Sequence, residues 1–157
     1  MAGAVQLSRA HWLALGIPAV LLGGAYCFEY LGGLPPCEMC WWQRWPHFAA
    51  VALALAGFVV PWRWPLVALA ALAILVSGLI GGFHAGVEYG WWEGITGCSI
   101  SVAGSDDPLA AIMNAPLIRC DVAPWELLGI SLAGWNFLIS TLGALAIFAL
   151  LLRRKGV

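Results

Sequence analysis

The sequence predicts an all-α membrane protein, a four-helix transmembrane bundle with two outer loops. Hydrophobic residues make up 62% of the chain and charged residues only 10%, whereas soluble domains average about 25% charged residues. Four apolar runs are each close to the roughly 20 residues that cross a bilayer as a helix. All eight acidic residues lie at or in the two connections on one side of this bundle.

The four spans fill most of the chain, so we expect residues 1–157 to form a single transmembrane domain. The predicted spans cover residues 10–31, 41–60, 65–83 and 127–152. The stretch "PWRWP" joins spans two and three, because its prolines end one helix and open the next. The loops at 32–40 and 84–126 then share one side of the membrane. Both termini lie on the opposite side, because the number of spans is even.

The cations indicate the orientation. Arg44 and Arg119 fall on the side of the two loops, and the other five cations fall on the side of the termini: Arg9, Arg63, Arg153, Arg154 and Lys155. The positive-inside rule predicts cytoplasmic termini and two outer loops. A cleaved signal peptide is the competing interpretation of span one, but its apolar run is longer than such segments use. A net charge of −1 excludes nucleic acid as a partner.

The predicted topology puts four of the five cysteines outside, Cys37 and Cys40 in the first outer loop and Cys98 and Cys120 in the second. The outer compartment of bacteria is oxidising, so disulfides form and persist there. The fifth cysteine, Cys27, lies within span one, where a cysteine usually behaves as a small hydrophobic residue.

Two structural disulfides would be the simplest explanation of four outer cysteines. A Cys-x-x-Cys pair closes a very small loop, however, so it removes little chain entropy and suits electron exchange better. Zinc is the second alternative. Cys98 and Cys120 are separated by 21 residues and have no neighbouring histidine, which does not fit a zinc knuckle. The pattern therefore favours a redox pair and no metal.

The position of Cys40 suggests a mechanism for the first pair. Cys40 immediately precedes span two, so we expect it in the first helical turn, where the helix dipole stabilises a thiolate. Arg44 follows four residues later on the same helix face, and His47 three residues after that. An arginine at this depth often extends to the lipid headgroups instead. Its spacing from Cys40 favours a functional role.

These features together resemble the disulfide bond formation protein B (DsbB) family of bacterial inner-membrane thiol:quinone oxidoreductases. The resemblance rests on "PPCEMCWWQR", on a second cysteine pair before span four, and on the stretches "FHAGVEYGWWEG", "PLIRCD" and "GWN". It covers essentially the whole chain and matches the shorter members of the family. It implies a bacterial inner-membrane location.

The resemblance also implies a role for each cysteine. Cys98 is similar to the cysteine attacked by a reduced periplasmic thioredoxin-fold (DsbA-like) partner, and Cys120 is its disulfide mate. Cys37 resembles the sulfur that exchanges with this second pair, and it forms the other disulfide with Cys40. Cys40 matches the sulfur that faces a membrane quinone, either ubiquinone or menaquinone, and Arg44 matches the arginine beside that quinone.

Two histidines are further candidates for the quinone site. His47 shares a helix face with Arg44, and His84 lies near the outer end of span three, four residues before Glu88. His84 and Glu88 could each face His47 or the quinone and move a proton. The alternative is that both are solvated at the membrane boundary.

In the second loop, residues 105–116 predict either a short interfacial helix or an ordered turn. Two other functions remain open at this point. A quinone reductase of the vitamin K epoxide reductase type usually carries its Cys-x-x-Cys near the last span, unlike this chain. A non-catalytic membrane scaffold would use its outer disulfides only as staples.

Overall fold

The computed structural model describes residues 2–96 and 118–153. This part of the chain contains four helices and one small β-hairpin: α1 Ala2–Tyr30, α2 Glu38–Val59, α3 Arg63–Glu88, β1 Glu126–Leu127, β2 Ile130–Ser131 and α4 Leu132–Arg153. The prediction of an all-helical bundle with four helices is confirmed. Of the described helices, α1, α3 and α4 are long and apolar enough to cross a membrane. Cys98 and the stretch 105–116 lie outside the described residues.

Helix α2 carries buried polar side chains in the half that is close to the cysteines. Its 22 residues are long enough to cross a bilayer, at about 33 Å. The outer half carries Gln43, Arg44 and His47, and all three are buried within the bundle. Because α2 packs against both α1 and α3, these polar groups face protein rather than lipid.

The Cys-x-x-Cys motif itself begins α2. Cys37 is the N-cap residue, and its sulfur accepts a hydrogen bond of 3.3 Å from the backbone N–H of Cys40. Glu38 occupies the first turn, where a negative charge is favourable beside the positive end of the helix dipole. The first cysteine pair is therefore built on a helix end rather than on a free loop.

A tight hairpin precedes α4, so this helix begins five residues later than the predicted fourth span. Leu128 and Gly129, at the turn between β1 and β2, have φ values of 56° and 73°. Two such residues in succession make a type I′ turn, which a helix cannot accommodate. Ser131 then caps α4, since its Oγ accepts a hydrogen bond of 3.1 Å from the N–H of Gly134.

Helix α3 extends five residues beyond the predicted third span and ends at Glu88, so His84 and Glu88 are helical. Its end is tied to the hairpin by Tyr89, whose hydroxyl accepts from the N–H of Ser131 at 2.9 Å. The same hydroxyl donates to the carbonyl of Gly129 at 3.3 Å. These bonds fix the start of α4 against the outer end of α3.

Small residues let the helices approach closely. The main buried cluster consists mostly of alanine with a few larger aliphatic side chains: Ala10, Ala14, Ala50, Ala54, Val67, Ala70, Ala71, Ile74, Ala144, Ile147 and Leu151. Gly81 lies where α3 meets α4, and a β-carbon there would come within 2.9 Å of the Ala133 carbonyl and 3.0 Å of Asn136 Nδ2. Such contacts are typical of helix packing in membranes, where close backbone approach replaces the hydrophobic effect.

We expect Gly81→Ala to destabilise the bundle by about 1–3 kcal/mol, because the new methyl group overpacks the contact between α3 and α4. Gly23→Ala is the matched control, since a β-carbon at that helical position meets nothing within 4 Å. Unfolding of both variants in detergent by denaturant titration measures the difference. Equal stability of the two variants would contradict the packing described for Gly81.

Candidate functional site

The first cysteine pair is buried at the N-terminal end of α2. Cys37 is 6% exposed, and its sulfur lies 2.9 Å from the sulfur of Cys40. Both cysteines are thiols in this structure. A disulfide joins two sulfurs at about 2.05 Å, so the pair can be oxidised with only a small movement of the side chains.

Cys120, from the connection between α3 and β1, approaches the same sulfur. Cys37 Sγ, Cys120 Sγ and a ring nitrogen of His84 all lie within 4.8 Å of one another, and the distance from Cys37 Sγ to His84 Nε2 is 3.7 Å. Zinc binds ligands of these types, but a closed structural site needs four. Because Cys98 is outside the described residues, its pairing with Cys120 stays a prediction.

The surroundings of Cys37 favour its neutral thiol. The hydrogen bond with Cys40 and burial together raise the pKa of the Cys37 thiol well above its usual range. A buried thiolate at this position therefore needs hydrogen-bond donors. The described neighbours offer two of them, the N–H of Cys40 and the ring of His84.

Arg44 points into the bundle and not toward the headgroups. Its side chain is 7% exposed, and Nη1 donates to Glu29 Oε2 of α1 at 2.5 Å. Its guanidinium carbon also lies 4.9 Å from the ring centres of both Tyr26 and Trp41, a cation–π geometry. The position is therefore inconsistent with a simple lipid anchor.

A buried polar network connects the cysteine end of α2 to α3 and α4. Gln43 Nε2 bonds to His84 Nδ1 at 2.9 Å, and Gln43 Oε1 accepts from Asn136 Nδ2 at 2.8 Å. Asn136 Oδ1 faces His47 Nε2 at 3.0 Å. The backbone carbonyl of Gln43 accepts from the hydroxyl of Ser77 at 2.8 Å. Both candidate histidines thus belong to one hydrogen-bonded cluster.

A cavity of about 410 Å³ opens beside this cluster, within the range of about 300–1,000 Å³ found for small-molecule sites. Its walls are mainly aliphatic and aromatic residues from α1, α4 and the first outer connection. Its polar lining comes mostly from α2 and α3: Cys40, Gln43, Arg44, His47, His84, Glu88 and Asn136. An apolar cavity with a few convergent polar groups is the usual form of a small-molecule site.

The cavity brings together four of the residues that the sequence singled out, namely Cys40, Arg44, His47 and His84. Cys37 and Cys120 lie next to them. Sequence reasoning missed Glu29 as the partner of Arg44, although an acid inside an apolar run is a recognisable signal. It also missed the hydrogen bonds of Gln43 and Asn136, because isolated amides carry no distinctive spacing.

The fold and the site define a helical membrane protein that carries a buried dithiol, a third cysteine beside it and an adjoining apolar cavity at one end of the bundle. The family model described as "Disulfide bond formation protein DsbB" matches residues 8–150. The chain therefore belongs to the DsbB family of disulfide-forming membrane proteins.

Curated relatives agree with this family. A "Disulfide bond formation protein B" of Alkalilimnicola ehrlichii is 33% identical, with 94% of this chain and 97% of the relative covered. Relatives of the same name from Aromatoleum aromaticum and Verminephrobacter eiseniae are 31% and 33% identical and cover 95% and 90% of this chain; the matches take in 95% and 83% of those relatives. No solved structure matches the chain.

We expect a direct disulfide between Cys37 and Cys120 when their alternative partners are removed. In the Cys40→Ala/Cys98→Ala variant, mild oxidation should join these two sulfurs, because they lie within 4.8 Å in the thiol form. Peptide mass spectrometry under non-reducing conditions identifies the bond. The remaining cysteine, Cys27, is the internal control; if Cys120 pairs with Cys27 as readily as with Cys37, the proximity is wrong.

Proposed function

We propose that this protein is a membrane thiol:quinone oxidoreductase that re-oxidises a periplasmic thioredoxin-fold disulfide donor. The observation that carries the proposal is the position of Cys37. Its sulfur is 2.9 Å from Cys40 and within 4.8 Å of Cys120, so it can bond to either one. Cys40 itself lines the apolar cavity. This arrangement suits electron transfer from an aqueous thiol to a lipid-soluble acceptor.

Thiol–disulfide exchange through Cys37 accounts for the electrons. The reduced partner opens the Cys98–Cys120 disulfide by bonding to Cys98, and Cys120 leaves as a thiolate. Cys120 then attacks Cys37, breaking the Cys37–Cys40 bond and leaving the electron pair on Cys40. The partner's second thiol then attacks the partner sulfur that is bonded to Cys98, and Cys98 is released. Cys98 attacks Cys120, the Cys37–Cys120 bond breaks, and Cys37 leaves as a thiolate. The partner now holds a disulfide, and Cys37 and Cys40 hold its two electrons.

The cavity beside Cys40 fits a quinone head group, either ubiquinone or menaquinone. A bound quinone supplies a two-electron acceptor stronger than ordinary thiols. Arg44 is buried and already oriented by Glu29, so it can donate a charge-assisted hydrogen bond without reorganising. His47 and His84 line the same cavity and are the candidate proton carriers. The apolar walls exclude water from the thiolate.

The charge distribution supports an orientation with cytoplasmic termini and periplasmic cysteines. Of the seven lysines and arginines, only Arg44 and Arg119 lie toward the cysteine end, as the positive-inside rule expects for outer segments. A periplasmic partner would then meet the second outer connection, and the inner membrane of a bacterium would supply the quinone.

We expect quinone-dependent oxidation of a reduced thioredoxin-fold donor added to right-side-out vesicles that contain this protein and ubiquinone. Loss of donor thiols measures the first half of the relay, and quinone absorbance measures the second. Cys37→Ser, Cys98→Ser and Cys120→Ser should each abolish donor oxidation. A non-catalytic scaffold would give no turnover in any of these experiments.

Inside-out vesicles test the orientation in the same assay, because the donor cannot cross the bilayer. Turnover from that side alone would overturn the proposed topology. The Cys27→Ser variant is the control for cysteine loss in general, since Cys27 is exposed on α1 and has no part in the relay. Wild-type rates in the Cys98→Ser or Cys120→Ser variants would overturn the proposed role of the second pair.

Arg44→Met should raise the quinone KM and lower quinone-dependent efficiency roughly ten- to hundredfold, the worth of one charge-assisted hydrogen bond. Arg44→Lys should lose less of this quinone-dependent efficiency. Single-turnover exchange between the donor and the second cysteine pair should be almost unchanged.

Two further variants separate binding from stability. Glu29→Gln/Arg44→Met removes the carboxylate that the single substitution leaves buried without its partner, and it should keep the raised KM. Arg9→Met, at the far end of α1, is the matched control. An Arg44→Met protein with normal quinone dependence would reduce Arg44 to a structural role.

A further inference from the structure

The donor and acceptor of each hydrogen bond in the buried network can be assigned, starting from Asn136. A main-chain carbonyl only accepts, so an amide beside it must turn its nitrogen toward it. Asn136 Nδ2 faces the carbonyl of Ser77 at 3.2 Å. The same nitrogen therefore donates to Gln43 Oε1 at 2.8 Å, and Asn136 Oδ1 accepts from the hydroxyl of Ser140 at 2.9 Å.

Two hydrogen bonds fix the orientation of the Gln43 side-chain amide. Its Nε2 donates to the carbonyl of Met39 at 3.1 Å, and its Oε1 is held by Asn136. The second proton on Nε2 then goes to His84 Nδ1, 2.9 Å away, so this ring nitrogen is an acceptor.

A neutral imidazole carries one proton, and in His84 that proton must be on Nε2. Nε2 lies 3.7 Å from Cys37 Sγ. A metal ion would need the lone pair of Nε2, so the bond from Gln43 also disfavours His84 as a metal ligand.

We propose that Gln43 is a positioning residue that holds His84 as the Nε2–H tautomer, so that His84 donates a hydrogen bond to Cys37 whenever that sulfur is a thiolate. The inference rests on the proposed function, in which Cys37 leaves as a thiolate when Cys98 attacks Cys120. The Cys98–Cys120 bond forms, the Cys37–Cys120 bond breaks, and the electron pair stays on Cys37. No other oxidant or reductant is needed for this step.

Cys37 needs such a donor because its surroundings oppose a negative charge. The described titratable groups around it are Cys40 on α2, His84 and Glu88 on α3, and Cys120 in the second outer connection. Glu88 Oε1 is 3.8 Å from His84 Nε2, so a carboxylate there adds repulsion. A proton on Nε2 is favourable to both neighbours, whereas a lone pair on Nε2 would face the thiolate and the carboxylate together.

The test compares Gln43→Met with Gln43→Glu in the fully reduced full-length protein. Methionine has no group to donate to Nδ1, so the tautomer is no longer fixed. Glutamate only accepts, so it draws the single ring proton of neutral His84 to Nδ1 and leaves Nε2 without one. Nitrogen NMR of labelled His84 reports the tautomer, and the pH dependence of Cys37 alkylation, followed by peptide mass spectrometry, reports the thiolate.

We expect Gln43→Met to lose the single Nε2–H tautomer and to shift the alkylation midpoint of Cys37 upward by about one pH unit, a roughly tenfold loss of thiolate at neutral pH. Gln43→Glu should show the Nδ1–H tautomer and an alkylation midpoint at least as high as that of Gln43→Met. Gln6→Met, the same substitution near the start of α1, is the matched control and should change neither measurement.

The proposal is overturned if Gln43→Met leaves the nitrogen spectrum and the midpoint unchanged, or if Gln43→Glu keeps the Nε2–H tautomer and a wild-type midpoint. If Gln43→Met does not fold, His84→Gln and His84→Met give the second test. The amide of His84→Gln can still donate to Cys37 and should keep a near-normal midpoint, whereas His84→Met should not. Equal midpoints for these two would also overturn the proposal.

Neither measurement needs quinone or a protein partner. Failure of this inference is therefore distinct from failure of the proposed function, which would show as absent turnover in a protein with the expected His84 tautomer.

Discussion

The Gln43 amide is the interaction on which the outer half of the bundle depends. In an apolar bundle no water is available to satisfy a misplaced polar group, so each buried donor and acceptor must find its partner inside the protein. Gln43 on α2 bonds to His84 on α3 and Asn136 on α4. One side chain thus determines how three helices meet, and Gly81 leaves room for that bond.

This constraint positions the chemistry. Cys37 and Cys40 belong to the first turn of a helix whose rotation about its axis is fixed by Gln43, three residues after Cys40. Arg44 is held in the same way by Glu29 of α1. The first cysteine pair and the cavity therefore have a rigid frame, whereas Cys120 belongs to a connecting segment that approaches Cys37 from outside the helices. A thiol relay needs both, because one sulfur must contact the cavity and another must contact an aqueous partner.

Much of the fold could be predicted from composition and spacing. Apolar runs predict helices in a bilayer because the hydrocarbon core allows few alternatives, and Cys-x-x-Cys before a span predicts a dithiol at a helix start. The start of α4 could not be predicted in this way. Residues 127–131 continue the apolar run of the predicted fourth span. Only the turn at Leu128 and Gly129, held by the hydrogen bonds of Tyr89, makes these residues a hairpin.

By itself the sequence determined the class of protein, the number of helices and the position of a Cys-x-x-Cys pair at a helix start, because hydropathy and cysteine spacing act locally along the chain. Only the tertiary structure decided which residues meet. Gln43 and His84 are 41 positions apart, Arg44 and Glu29 are 15 apart, and the protonated nitrogen of His84 follows from carbonyls on two other residues. Those pairings depend on helix rotation and close packing, which no local pattern specifies, and they decide where charge and protons can be held at the thiols.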